Sequence, residues 1–418
     1  MCPSCPSFEK TLHYVSPAHG GWGVIRIAAT MPESYMLFVA PFACGRHGAL
    51  GAVLHHIKNQ VSYLFIDESD IVSGNYEHLV PDAVEELLAA LEKRPKVLMI
   101  FVSCLDDLLG TDHEALNARL SEKFTDIRFV TCHMNPFKMD TKVPPQVGLQ
   151  RSLFSILEKS DVKKNQINMV GNNASVSEDC ELFTLMNQAG WKINHIGTAK
   201  TLEEFLDFSS SKLNLVLSPS AGLSSKIMEK NLGIPYLPAI PNYDVAAIEK
   251  LYHEIENRLG ISLGDLSSYK ERAVKAIQNA QSIIGDYPVM IDYQAVRRPF
   301  TLANVLHDAG FNVKLIAVDA VPGFEKAACE KIMEKIPDLK IIDALHHDSA
   351  KFEFVNEECL CIGFNAGYLT KSRHVVDLME DETLYGFYGV EKLMDMLVTA
   401  YQGEHSADEL IIKAGIVV

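Results

Sequence analysis

Apolar runs of strand length recur along this chain, separated by stretches of helical period, and three of the first runs close on cysteine: Tyr35 to Cys44, Val97 to Cys104 and Ile127 to Cys132. Continuous apolar runs of this kind mark parallel strands covered on both faces. Open sheets of such strands bind ligands in the crevice at their carboxyl ends. The pattern therefore predicts thiols gathered where a cofactor sits in α/β folds.

The alternation holds almost throughout, as in parallel sheets with crossover helices. Strands are expected near 35–41, 62–67, 96–103 and 126–131, with helices at 47–58, 80–93, 112–122 and 146–158. A polar stretch, Lys159 to Asn165, then separates a second set of elements: Ile167 to Gly171, a helix from Glu178, Trp191 to Ile196, a helix whose Thr201-Leu202-Glu203-Glu204 start reads as a capping box, Leu213 to Leu217 and Gly233 to Tyr236. One long helical segment over 244–284 leads to a third set, opening at Tyr287 to Ile291 and ending near Leu360 to Gly363. The expected fold is α/β: three Rossmann-like domains, each a small mostly parallel sheet flanked by helices, at 1–160, 161–285 and 286–418, around a central cleft. A chain of 418 residues has the length for two to three ordinary domains.

The net charge of −16 argues against nucleic acid or an anionic membrane surface as partner, since both require a basic footprint. No run reaches the roughly 18 apolar residues of a membrane helix, and Met1 to Pro6 has neither the basic nor the apolar region of a signal peptide. A cytoplasmic protein is expected. Nine cysteines, an odd number, point to free thiols or metal ligation.

Short motifs add a family likeness. Ala40-Pro41-Phe42-Ala43-Cys44-Gly45, the acidic segment Asp67 to Gly74, Val102-Ser103-Cys104 through Gly110-Thr111-Asp112, Leu213 to Leu217 followed by Met228 to Pro235, and Tyr385-Gly386-Phe387-Tyr388-Gly389 stand in order along the chain. Together they resemble nitrogenase component 1 and its relatives, the iron–sulfur proteins that reduce dinitrogen, protochlorophyllide or nickel-tetrapyrrole precursors. The resemblance implies a dimeric or pseudo-dimeric assembly, either a homodimer or a heterotetramer with a related subunit. It implies an iron–sulfur cluster, of the [4Fe-4S] kind, at the subunit interface. It also implies a separate ATP-hydrolysing reductase as electron donor, and this chain has no Gly-x-x-x-x-Gly-Lys-Ser/Thr of its own.

By that resemblance Cys44 and Cys104 align with two cluster cysteines, and thiolate is the ligand such clusters take. Arg46 would balance the cluster's charge, with Glu68 nearby. The family's first ligand cysteine would fall near Ser16 to Gly21, where there is none; His19, Cys2 and Cys5 of the tail, or a partner supply the alternatives. Cys132 is expected to pack structurally at a strand end. The thiolate ligand of the nitrogenase cofactor would fall at Ser218, and serine is a poor donor to soft iron; its second ligand has no convincing counterpart, His374 being the nearest histidine and read as a packed or exposed helix residue. No nitrogenase-type molybdenum cofactor is expected.

Three further groups read mainly as structural. His47, His55 and His56 fall on a helix with His55 and His56 on different sides, Cys359 and Cys361 share one face of a strand, and Arg297-Arg298 opens a helix where it is free to meet an anionic group. The expected function is a redox protein that passes electrons through the cluster to a substrate bound between domains, other than dinitrogen. The alternatives are a scaffold that binds or matures a metallocofactor, and a cluster-free protein that binds small molecules.

Overall fold

A computed structural model describes residues 12–18, 23–54, 56–135, 138, 141–351 and 358–414. Its strands form three sheets, and every strand pair is parallel. In the first sheet β1 (Ser34–Ala40), β2 (Val61–Phe65), β3 (Val97–Ser103) and β4 (Arg128–Met134) lie in the order β2-β1-β3-β4. The second has β5 (Gln166–Val170), β6 (Lys192–His195), β7 (Leu213–Val216) and β8 (Tyr236–Pro238) in the order β6-β5-β7-β8. The third has β9 (Pro288–Asp292), β10 (Asn312–Val318), β11 (Lys340–Asp343), β12 (Leu360–Ile362) and β13 (His374–Val376) in the order β11-β10-β9-β12-β13. Each sheet begins at an inner strand, winds outward, then returns to the other side of that strand, so each has one point where the winding reverses. These points lie between β1 and β3, β5 and β7, and β9 and β12. Ligand crevices form at such reversals, outside the carboxyl ends of the strands.

The first sheet shows why its strands read as unbroken apolar runs. Met36 and Phe38 of β1, with Met99 and Phe101 of β3, face a core that includes Leu149 and Leu153 of the Pro145–Phe154 helix. Their neighbours Leu37, Val39, Leu98, Ile100 and Val102 face the opposite core, against Val80 and Val84 of the Tyr76–Ala90 helix and Leu116 and Leu120 of the His113–Lys123 helix. Alternate side chains point to opposite faces, and both faces are covered. Fully burying one such side chain contributes about 1.5–3 kcal/mol, so the strands that carry the site are held stiffly. The Phe38 and Phe101 rings stack across the β1/β3 pair at 4.6 Å.

The chain divides into two compact units. Trp22–Ser175 with Lys192–Ala239 carries the first two sheets; Val176–Trp191 with Ile240–Val418, and the described residues before 22, carries the third. Several expectations are corrected. The segment 244–284 is two helices, Val245–Leu259 and Ser267–Ile284, because Gly260 takes the left-handed conformation at φ 65° and caps the first. His56 lies beyond the Phe42–Leu54 helix, in left-handed backbone at φ 58°, and His55 is outside the described residues. His374 opens β13 and is not on a helix. No helix among the described residues is long and apolar enough to cross a membrane.

Candidate metal centre at the carboxyl edge of the first sheet

Pro41 ends β1, and the Phe42–Leu54 helix starts at once, so Cys44 is its third residue rather than a residue ahead of it. The amides of Cys44 and Gly45 both donate to the Pro41 carbonyl at 3.0 Å. Cys104 is the first residue of a short helix, Cys104–Leu109, that follows β3 directly and ends at Gly110 in the left-handed region. Val39 of β1 pairs with Val102 of β3. The two cysteines therefore leave the carboxyl ends of adjacent parallel strands on either side of the reversal point. Cys44 is exposed and Cys104 half-buried.

Cys132 does not join them. It lies inside β4, opposite Phe101, with two more strand residues after it, and is 1% exposed. Burial pushes its thiol well above the usual cysteine range. It packs as a small hydrophobe, as the structural reading expects.

The edge around Cys44 and Cys104 is apolar and exposed. Phe42 starts the Cys44 helix, and its ring meets Phe65, the last residue of β2, edge-on at 5.1 Å. Val72 in the helix after β2 and Leu108 in the helix of Cys104 are exposed as well. Gly45 fits beneath Phe65: a Cβ there would come within 2.8 Å of the ring. Arg46 is exposed on the same helix, and Glu68 opens the helix after β2. Asp67 caps that helix, its carboxyl held below the usual range by the Ser69 hydroxyl and the Asp70 amide. His19, Cys2 and Cys5 lie outside the described residues.

The same edge holds a trio that sequence reasoning missed. Asp106 sits in the Cys104 helix, His113 opens the His113–Lys123 helix, and His133 lies near the end of β4, paired with Val102. One ligand atom from each lies within 4.8 Å of the others. Asp106 and His133 flank two cysteines already singled out. The signal was present as Asp and His residues beside strand ends, but nothing local distinguishes them from ordinary polar loop residues.

The other reversal points carry no comparable exposed thiol among the described residues. Between β5 and β7, Gly171 takes φ 107° and approaches so closely that a Cβ would stand 2.9 Å from the Ser218 amide. The Ser218 hydroxyl lies 2.9 Å from that of Ser220. In the third sheet Cys359 and Cys361 are buried with sulfurs 3.6 Å apart. Burial raises the Cys361 thiol well above its ordinary value. Arg297 binds buried Glu382 at 2.9 Å, and Arg298 faces buried Glu325 at 3.6 Å, so neither awaits an anion. The His374 ring packs edge-on to Tyr287 and lies 3.0 Å from the Ala400 carbonyl.

As a donor set, two thiols at one edge fit half of a four-cysteine iron–sulfur shell. The family model for nitrogenase component 1 type oxidoreductases matches residues 20–402. The nitrogenase iron-molybdenum cofactor biosynthesis protein NifE of Clostridium pasteurianum is 23% identical over 326 residues, which is 75% of this chain and 68% of that protein. Among solved structures, nitrogenase Cp1 at pH 6.5 has a TM-score of 0.74 over 96% of both chains, at 14% identity. Nitrogenase Cp1 at pH 5 has a TM-score of 0.61, covering 90% of this chain and 86% of that one, also at 14% identity.

Proposed function

This chain belongs to the nitrogenase component 1 type oxidoreductases, and from that membership we propose that it is a redox protein holding an iron–sulfur cluster, of the [4Fe-4S] kind, through Cys44 and Cys104. The observation that carries the reading is the position of these two cysteines at the carboxyl ends of adjacent parallel strands, flanking the reversal point. A cluster bound there supplies one-electron storage. Arg46, two residues after Cys44, offers a cation to offset its negative charge.

Two thiolates leave half of a four-cysteine shell to be filled. The proposed source is a second chain of this fold facing the same edge, whose exposed Phe42, Phe65, Val72 and Leu108 suit a protein interface; Cys2, Cys5 and His19 are the sources within the chain. The electron donor under this reading is an ATP-hydrolysing reductase. The substrate is an organic molecule or a metallocofactor rather than dinitrogen, because Ser218 stands where the family resemblance places a thiolate, and a hydroxyl is a poor ligand for soft iron.

A second reading, a scaffold on which a metallocofactor is bound or matured, is favoured by the relative named for iron-molybdenum cofactor biosynthesis. Anaerobic reconstitution with ferrous iron and sulfide tests what the two readings share. The wild-type protein is expected to take up about four irons per pair of chains, and Cys44→Ser and Cys104→Ser each to lose most of that iron and the accompanying brown colour. Iron uptake unchanged in both variants overturns the assignment. Turnover of candidate substrates with a reductase and ATP then separates the redox protein from the scaffold.

A further inference from the structure

We propose that Asp106, His113 and His133 form a mononuclear site for a divalent transition-metal ion, separate from the cysteine pair, between the carboxyl ends of β3 and β4. Three independent elements converge there: the short helix after β3, the start of the next helix, and the end of β4. Their ligand atoms lie within 4.8 Å of one another. Around a tetrahedral ion with bonds of about 2.0–2.1 Å, neighbouring ligand atoms stand about 3.4 Å apart, so the three donors lie within reach of one ion once the touching Asp106–His113 pair opens to admit it.

The burial points the same way. Asp106 is 1% exposed, and neither of its carboxylate oxygens has a hydrogen-bond partner; its contact is an ion pair with His113 Nε2. His113 Nδ1 is also buried without a hydrogen-bond partner. A carboxylate this deep is costly unless paired and fully hydrogen-bonded. One imidazole contact answers a single oxygen, while the second imidazole, perpendicular to the first at a ring separation of 5.0 Å, brings another nitrogen to the same point. A cation among the three would answer the buried Asp106 carboxylate more fully than the His113 contact alone does.

The donor chemistry selects the ion. Two imidazoles and one carboxylate suit Zn(II), Fe(II) or Co(II), with at least one coordination position left for water or another small ligand. Magnesium and calcium favour all-oxygen shells, and this trio has no sulfur to favour copper(I). The site does not depend on the cysteine assignment, so the two stand or fall separately.

The test uses chelator-treated full-length protein in a Cys44→Ser/Cys104→Ser background, titrated with cobalt(II) chloride and followed by visible absorption and by metal analysis after desalting. One cobalt per chain with nitrogen and oxygen ligation is expected. His133→Gln and Asp106→Asn should each weaken binding by about 100-fold or more, and added cobalt should raise the melting temperature of the parent but not of either variant. His133 is only half-buried, so its variant keeps the test sound if Asp106→Asn fails to fold. No cobalt retained by the parent, or equal affinity in folded His133→Gln, overturns the proposal.

Discussion

Glu181 and Tyr252 meet in the interior through a 2.5 Å hydrogen bond from the phenol to the carboxylate. The same carboxylate accepts the backbone amides of Phe387 at 2.7 Å and Tyr388 at 3.0 Å. A buried negative charge thus caps the Gly386–Gln402 helix, where free amides and the helix dipole favour it. The motif Tyr385-Gly386-Phe387-Tyr388-Gly389 is explained by this contact. Gly386 takes φ 63°, and a Cβ there would stand 2.2 Å from both the Glu181 carboxylate and the Tyr252 hydroxyl. The motif is a structural clasp within the unit that carries the third sheet.

Removing that clasp should destabilise the unit strongly. Glu181→Ala strands two helix amides and a buried phenol, a loss of about 3–5 kcal/mol. Gly386→Ala should cost a comparable amount through steric conflict. Urea denaturation followed by circular dichroism measures both; a loss below 1 kcal/mol in either, on the scale of an ordinary surface change, would contradict the account.

Asp292 gives a pH signature. It ends β9, is fully buried, and accepts the amides of Gln294 at 3.0 Å and Ala366 at 3.2 Å. Burial raises its carboxyl from 3.8 to about 6, outweighing the amides, which pull it down. A carboxyl raised in the folded state favours folding when protonated. Its contribution is therefore complete below about pH 4 and is lost as pH rises through about 6, a change of roughly 3 kcal/mol at 1.36 kcal/mol per pKa unit. Asp292→Asn removes the titration but gives up one amide contact. The stability of the variant minus that of the wild type should rise by about 2.5 kcal/mol between pH 4 and pH 7, and a flat difference would refute the assignment.

Thiol chemistry should separate the cysteines by environment. Cys44 is exposed, whereas Cys132, Cys329, Cys359 and Cys361 are buried. Among the described cysteines, Cys44 of metal-free native protein treated with iodoacetamide at pH 8 should be modified first, with those four reacting only after denaturation. Mass spectrometry of the digested protein reads the order; modification of Cys132 at the rate of Cys44 would show that β4 does not hold it in the core.

What the sequence disclosed, and what it hid, follows from the range of the forces involved. The three sheets were legible because a doubly covered strand carries its signature within itself, as in Val97 to Val102. Cys44 and Cys104 were legible as the residues that end such runs. Cys132 looked the same, yet β4 continues through His133 and Met134, and only the pairing with β3 shows where the edge lies. The six-residue Cys104–Leu109 helix is too short to show a period, which concealed the position of Asp106. Partners far apart in sequence were hidden altogether. Arg297 appeared free to bind an anion, but Glu382, 85 residues on, already holds it. Glu181 lies 206 residues from the Phe387 amide it receives.

The apolar edge beside Cys44 should govern association. The Phe42 and Phe65 side chains are 65% and 47% exposed, and Val72 and Leu108 nearby in the fold of the first sheet are 81% and 79% exposed. Aromatic side chains clustered on a surface are typical of interface cores, where a few anchors carry most of the affinity. Because Phe42 is mostly exposed and Phe65 about half exposed, Phe42→Ser and Phe65→Ser should leave the monomer fold intact. If this edge faces a second chain, each substitution removes about 2 kcal/mol of association free energy, roughly 30-fold in the dissociation constant. Sedimentation velocity across a dilution series should then show the double variant as a monomer at concentrations where the wild type is paired. Iron retained after anaerobic reconstitution should fall with the pairing, since each chain alone presents only Cys44 and Cys104 at this edge among the described residues. A double variant that pairs and loads iron as the wild type does would move the interface elsewhere and require the remaining ligands to come from within the chain.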